Sequence, residues 1–275
     1  MHIAHHQQQK DLIKQALVNY ESLKTSAIKH VQETDKFDMD YLSQSCLDVF
    51  FCKAFLGEDN DNKDLQDLID SLTANLNFSV HIGKEIAYKF QGKIITVTPE
   101  PRNYGVSMHI WNMAFFGAII LDDAELLKTL MNIDLEELLT ASGKKKDYTF
   151  NMAIALKAFY LKQTGYPELL ADALKANMDV PKNHLLYDKA MDIDGPALEL
   201  LYLLLTEKNE QFNERLLKAL EWHKKYYMRL EKKKIQSNVG LVSLPICAMV
   251  KLAKELKKME IEHTSDYLPA YLLGG

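Results

Sequence analysis

Apolar residues fall at helical spacing along most of the chain. Leu12, Ile13, Ala16, Leu17, Tyr20, Leu23, Ala27 and Val31 recur at steps of three and four, which is one stripe on a long helix. A second helix is expected over residues 41–56, with "FFCKAF" facing a core. The polar stretch "GEDNDNKD" (57–64) then breaks the pattern, and Asp64 is placed to cap a helix running to about residue 76. "IAYKFQGKIITV" (86–97) has a different character. Its β-branched and aromatic residues flank Gln91-Gly92, which predicts a short β-hairpin. The prolines of "TPEPRNYG" (98–105) disfavour helix, and residues 106–121 are apolar nearly all round, as a buried central helix would be.

From there the pattern is one of helix pairs. Residues 124–131 follow "LDD", whose aspartates suit a helix start. Residues 148–163 and 167–177 flank "TGY", and residues 196–206 and 210–230 flank "EKN". A further helix is expected over 241–259. Gly117 with Leu127 and Met131, Tyr160 with Leu170 and Leu174, and Tyr202 with Phe212 and Leu216 recur at 43 and 42 residues. The fold class is therefore mainly α. Stacked antiparallel helical hairpins, either α-solenoid-like or in an irregular bundle, carry one short β-hairpin near residues 86–97. Residues 1–105 form an N-terminal helical segment with the hairpin and residues 106–275 a helical-hairpin core, expected as one continuous domain.

Charge adds an asymmetry. Residues 1–143 carry 12 basic and 21 acidic side chains, net −9, and residues 144–275 carry 21 and 17, net +4. The whole chain is at −5, which argues against bulk electrostatic binding to nucleic acid. Three cysteines without close pairs argue against a disulfide framework. The N-terminus lacks the apolar segment of a secretory signal. The longest apolar run, "MAFFGAIIL", is far short of the ~20 residues of a spanning helix. A cytoplasmic protein without a membrane partner is expected.

Candidate chemistry is sparse. In "ALEWHKKYYMRLEKKK" (219–234), His223 lies on the stripe Phe212, Leu216, Leu220, Tyr227 and Leu230, while Glu214–Lys218 and Glu221–Lys225 are spaced to pair on the outer face. His223 thus reads as a structural histidine. Glu260 and His263 offer one Glu-x-x-His spacing where a di-iron bundle needs two. "DNDNKD" (59–64) lacks the glycine and terminal glutamate of a calcium loop, and "QGKIIT" and "SAIK" lack the partners of a phosphate loop or a serine hydrolase. No catalytic, cofactor-binding or metal-binding residues emerge. A helical-repeat scaffold remains open, as does a helical-bundle enzyme or metalloprotein using His109, His223 or Glu260.

Three segments carry a resemblance. "HIWNMAFFGAIILDD" resembles a tryptophan-containing apolar helix ending in an acidic turn. "FNERLLKALEWHKKYY" resembles a helix with a histidine-aromatic cluster. "GLVSLPICAMVKLAKELKKMEIEHTSDYLPAYLL" resembles a closing helix, acidic segment and Tyr-Leu-Pro tail. Together, over about residues 106–273, they resemble the Immunity 49 family of bacterial polymorphic-toxin immunity proteins. The resemblance implies a helical, non-enzymatic, cytoplasmic protein. Such a protein binds a cognate toxin encoded by an adjacent gene and delivered by type VI or contact-dependent secretion. It implies no catalytic residues. An acidic surface suits a toxin with a positive active-site surface, such as a nuclease. The candidate toxin-binding residues are Asp59, Asp61, Asp64, Asp67 and Asp70, with Asp35, Asp38 and Asp40 beside the preceding helix.

Overall fold

The computed structural model of the protein is 70% helical, in agreement with the mainly-α expectation. It describes residues 1–6, 10–33, 39–58, 61–101, 105–206, 208–233, 235 and 237–274. The chain begins with β1 (His2–Ile3), α1 (Lys10–Glu33), α2 (Met39–Leu56) and α3 (Lys63–Val80). Strands β2 (Ile86–Phe90) and β3 (Lys93–Val97) follow, then α4 (Met108–Leu121), α5 (Ala124–Asn132) and α6 (Leu135–Ser142). Next come α7 (Tyr148–Tyr160), α8 (Tyr166–Met178), the short α9 (Tyr187–Lys189) and a π-helical turn (Ala190–Asp194). Helices α10 (Gly195–Leu205), α11 (Asn209–Lys232) and α12 (Leu244–Lys257), strand β4 (Thr264–Ser265) and a 3₁₀ turn (Ala270–Leu273) complete the order. The residues cluster into two compact units. One is Gln9–Lys145 and the other combines Met1–Gln8 with Lys146–Gly275.

In the unit of residues 9–145, α2 packs on α1 and α3, and α3 packs on α4. The interior comes from Leu42, Cys46, Phe50 and Phe51 of α2, Leu65, Leu68, Ile69 and Leu76 of α3, and Trp111, Ala114, Phe115 and Ala118 of α4, each fully buried or nearly so. A large apolar side chain so buried contributes about 1.5–3 kcal/mol. Helix α4 starts at Ser107, whose Oγ accepts from Ile110 N at 3.4 Å. Gly117 lets it approach α3 closely, since a Cβ there would run into the end of Ile69.

The α1 stripe differs from expectation. Leu17, Ala27 and Val31 are buried, but Leu12 and Leu23 are exposed and Lys24 is turned inward. Lys24 is only 8% exposed and bonds Asp64 and, at 2.7 Å, Asp67. Lys53 of α2 bonds Asp64 at 3.1 Å and Glu21 at 2.9 Å. This network ties α1, α2 and α3 together. Burial opposes charge on these groups, and the ion pairs overcome it. Lys24 is raised by Asp67 and Asp64, and Asp64 is held low by Lys24 and Lys53. Asp64 therefore does not cap α3. Asn62 occupies the cap position with φ 59°, and Asp64 lies inside the first turn.

The hairpin forms where expected. Ile86 pairs with Val97 and Phe90 with Lys93. Gln91 and Gly92 turn it with φ of 49° and 76°, the positive pair of a two-residue type I′ connection. Tyr88 and Phe90 alternate onto the buried face, and Tyr88 meets Phe78 of α3 edge-on at 5.0 Å.

In the other unit, α7 packs on α8, and α10 packs on α8, α11 and α12. The α11 stripe follows expectation: Phe212, Leu216 and Leu220 are fully buried, with His223 and Tyr227 close behind. Of its two outer Glu–Lys spacings, Glu214–Lys218 forms an ion pair and Glu221–Lys225 does not. The π-helical turn is anchored by Asp194, which accepts from Tyr148 Oη at 2.8 Å and meets Lys189 Nζ at 3.3 Å. The short strand β1 pairs in parallel with β4, so the first residues belong with the last. Among the described residues, no helix is long and apolar enough to cross a membrane.

Candidate functional site

Seven positions of α3 lie along one helical face: Lys63, Gln66, Asp67, Asp70, Thr73, Ala74 and Asn77. Steps of three and four put them in a row, and all but the alanine are polar. The row faces a cleft of about 1160 Å³. The hairpin supplies another wall through Ala87, Tyr88, Lys89, Gln91 and Gly92. The start of α5 supplies Asp123, Glu125, Leu126 and Thr129. Asp61, Asp67, Asp70, Asp123 and Glu125 line the cleft against Lys63 and Lys89, so it is acidic.

Each carboxylate is placed by local structure. Asp123 caps α5, its Oδ1 accepting from Glu125 N at 3.1 Å and Leu126 N at 3.0 Å. Its Oδ2 accepts from Gln66 Nε2 at 3.3 Å, and the same nitrogen donates to Asp70 Oδ1 at 2.9 Å. Asp67 accepts from Gln91 Nε2 at 3.1 Å, fastening the hairpin turn to α3. Burial, then repulsion from Asp123 and Asp67, pushes the Asp70 carboxyl up to about 6, against the pull of the Gln66 bond and Lys89. Two cleft-lining oxygens, Asn62 Oδ1 and Thr73 Oγ1, are buried without a hydrogen-bond partner.

Three of the eight residues expected at a toxin interface thus come together here: Asp61, Asp67 and Asp70. Asp64 is turned away into the Lys24–Lys53 network. Asp40 is exposed, accepts from Asn75 Nδ2 at 3.4 Å and does not line the cleft. Asp35, Asp38 and Asp59 lie outside the described residues. Gln66, Thr73, Asp123 and Glu125 also line the cleft and were not among the expected residues. For Gln66 and Thr73 the polar stripe of α3 was the available signal; Asp123 and Glu125 stand at the start of α5, where the sequence marks a helix start and nothing of the cleft.

A second polar cluster occupies the other unit. His223 is 2% exposed, and its Nε2 bonds the Gly240 carbonyl at 3.1 Å. Its ring packs on Tyr227 at 4.8 Å and Tyr267 at 4.7 Å. His5 and His6 stack at 4.7 Å and join them through Tyr267, whose hydroxyl is 2.8 Å from both His6 N and His6 Nδ1. Burial, then His5, pushes His223 down to about 4, against the Gly240 bond, and burial and neighbouring positive groups hold His6 near 3. Neutral, packed rings of this kind fasten the N-terminal strand. Among the described residues, no group of three or more His, Cys, Asp or Glu is arranged to hold a metal ion. Cys46, Cys52 and Cys247 are free and buried.

No curated protein and no solved structure matches the chain. The family model described as Immunity protein 49 matches residues 66–272. The match begins 40 residues before the segment that carries the resemblance in the sequence, and takes in most of α3, the hairpin and nearly the whole cleft lining. The chain belongs to the Immunity protein 49 family.

Proposed function

We propose that the protein binds a cognate antibacterial toxin and neutralises it by occupancy, without catalysis. The family match over most of the chain carries this reading. The acidic cleft supports a particular mode. A toxin that acts on nucleic acid presents cationic groups, and an acidic concave surface on a stable helical scaffold complements them. The partner is a cytoplasm-acting toxin, such as a nuclease, encoded beside this chain and delivered by a type VI or contact-dependent system. Neutralisation then takes place in the cytoplasm of the protected cell.

The test is co-expression with the toxin domain encoded next to the chain. Growth should be restored and the two proteins should co-purify. Growth arrest unchanged by the chain, with no co-purification, would refute the reading.

A further inference from the structure

The cleft has an excess of hydrogen-bond acceptors. Asp70 uses Oδ1 for Gln66, and its Oδ2 has no partner among the described residues. Gln66 spends its amide nitrogen on Asp70 and Asp123, which turns two carboxylates toward one place. Thr73 is 3% exposed, lines the same wall one turn further along α3, and has an unpartnered hydroxyl. Asn62 Oδ1, near the other end of the row, is also unpartnered. A buried oxygen without a donor is costly, so the cleft is shaped for something that brings donors. The positions of Asn62 and Thr73 are roughly 16 Å apart along the helix, longer than one side chain.

We propose that the cleft seats a short basic segment of the partner toxin, with one arginine side chain held between Asp70 and Asp123 and within reach of the Thr73 hydroxyl. This rests on the toxin-binding reading above and names the chemistry at that surface. Arginine is the matching donor: it carries five N–H groups and no acceptor, in a planar fork that two carboxylates can grip. A metal ion fits less well, because the described carboxylates are not arranged as a coordinating group.

The charged and titratable groups around Asp70 are Asp67 on its own helix with Lys24 of α1 upon it, Asp123 at the cap of α5 and Lys89 of β2. The free carboxyl titrates near 6. A guanidinium placed against it favours the charged form, so binding near pH 6 releases a proton and weakens as pH falls further.

The experiment uses the full chain and a capped Gly-Arg-Gly peptide, with a capped Gly-citrulline-Gly peptide as the uncharged isostere. Binding is followed by NMR of the Thr73 methyl and the Asp70 carboxyl carbon. The arginine peptide should shift both signals and lower the Asp70 titration midpoint, and the citrulline peptide should do neither. Asp70→Asn should weaken arginine-peptide binding about tenfold, the loss of one charge-assisted contact worth about 1.4 kcal/mol. Thr73→Val, which preserves shape, should weaken it to a smaller degree. Equal effects from both peptides would overturn the proposal. So would a response confined to other residues, or stronger shifts of the same signals from magnesium or calcium at equal concentration. Growth rescue that persists after such a result would place toxin binding on another surface, so the two readings fail separately.

Discussion

Replacing His223 with alanine separates a packing role from a site role. The side chain is 2% exposed, on the inner face of α11 between Tyr227 and Tyr267. Its removal leaves a cavity where a ring stood, which costs about 3–5 kcal/mol for an aromatic side chain. It also deprives the Gly240 carbonyl of its donor, about 1–3 kcal/mol if no water replaces it. Against these stands relief, because His223 Nδ1 is buried without a partner in the folded state. The net loss should be about 3 kcal/mol. His223→Phe restores the volume but not the bond, so it should recover roughly half. The assay is denaturant unfolding followed by tryptophan fluorescence. Trp111 lies in the unit of residues 9–145 and Trp222 in the other, and the chain has two tryptophans in all. A Trp111→Phe background therefore reports the unit that holds His223. An unchanged midpoint together with lost toxin binding would refute the packing account.

Four further outcomes follow from the same physics. Lys24→Met should destabilise the unit of residues 9–145 by about 3 kcal/mol, read from Trp111 fluorescence, because Asp67 would be left buried without its cation. Asp70→Asn should stabilise that unit at pH 7 by about 1–2 kcal/mol. The interval between 3.8 and about 6 corresponds to roughly 3 kcal/mol, discounted here for partial exposure. The sign follows from the raised carboxyl: its stabilising effect is full below pH 3.8 and lost as pH rises through 6, so the variant should lose that slope in unfolding midpoints. His223 and His6 act in the opposite direction, being depressed to about 4 and about 3. Their contribution is present above pH 6.5 and lost as pH falls toward those values, and Trp222 unfolding midpoints should fall with it. Gly117→Leu should cost about 1–3 kcal/mol or more by forcing α3 and α4 apart, with Gly117→Ala milder because Ile69 can swing its end away.

Much of the helical order was legible because single stripes and caps are local signals. The apolar run of α4, the Gln91-Gly92 hairpin and the inward His223 could all be read that way. Partnerships across the chain could not. Lys24 replaced an apolar position on its stripe because Asp64 and Asp67 come from 40 or more residues away. For the same reason Asp64 looked like a cap and is a buried ion-pair member. The two-residue strands β1 and β4 pair across some 260 residues and carry no pattern of their own. Helix α6 went unread although Asp134 caps it, since eight residues show little periodicity. In the cleft, Asp61, Asp67 and Asp70 were visible as acidic residues near one another. Their meeting with Asp123 depends on how α5 packs, which composition does not reveal.

The deciding measurement is the affinity of the purified chain for the proposed cognate toxin domain at low and at high salt. Charge complementarity at the cleft predicts a tight complex that weakens as salt rises and weakens again when Asp61→Lys and Asp70→Asn are combined. Absence of a complex at low salt would contradict toxin neutralisation. A tight complex indifferent to salt and to both substitutions would contradict the acidic cleft as its seat.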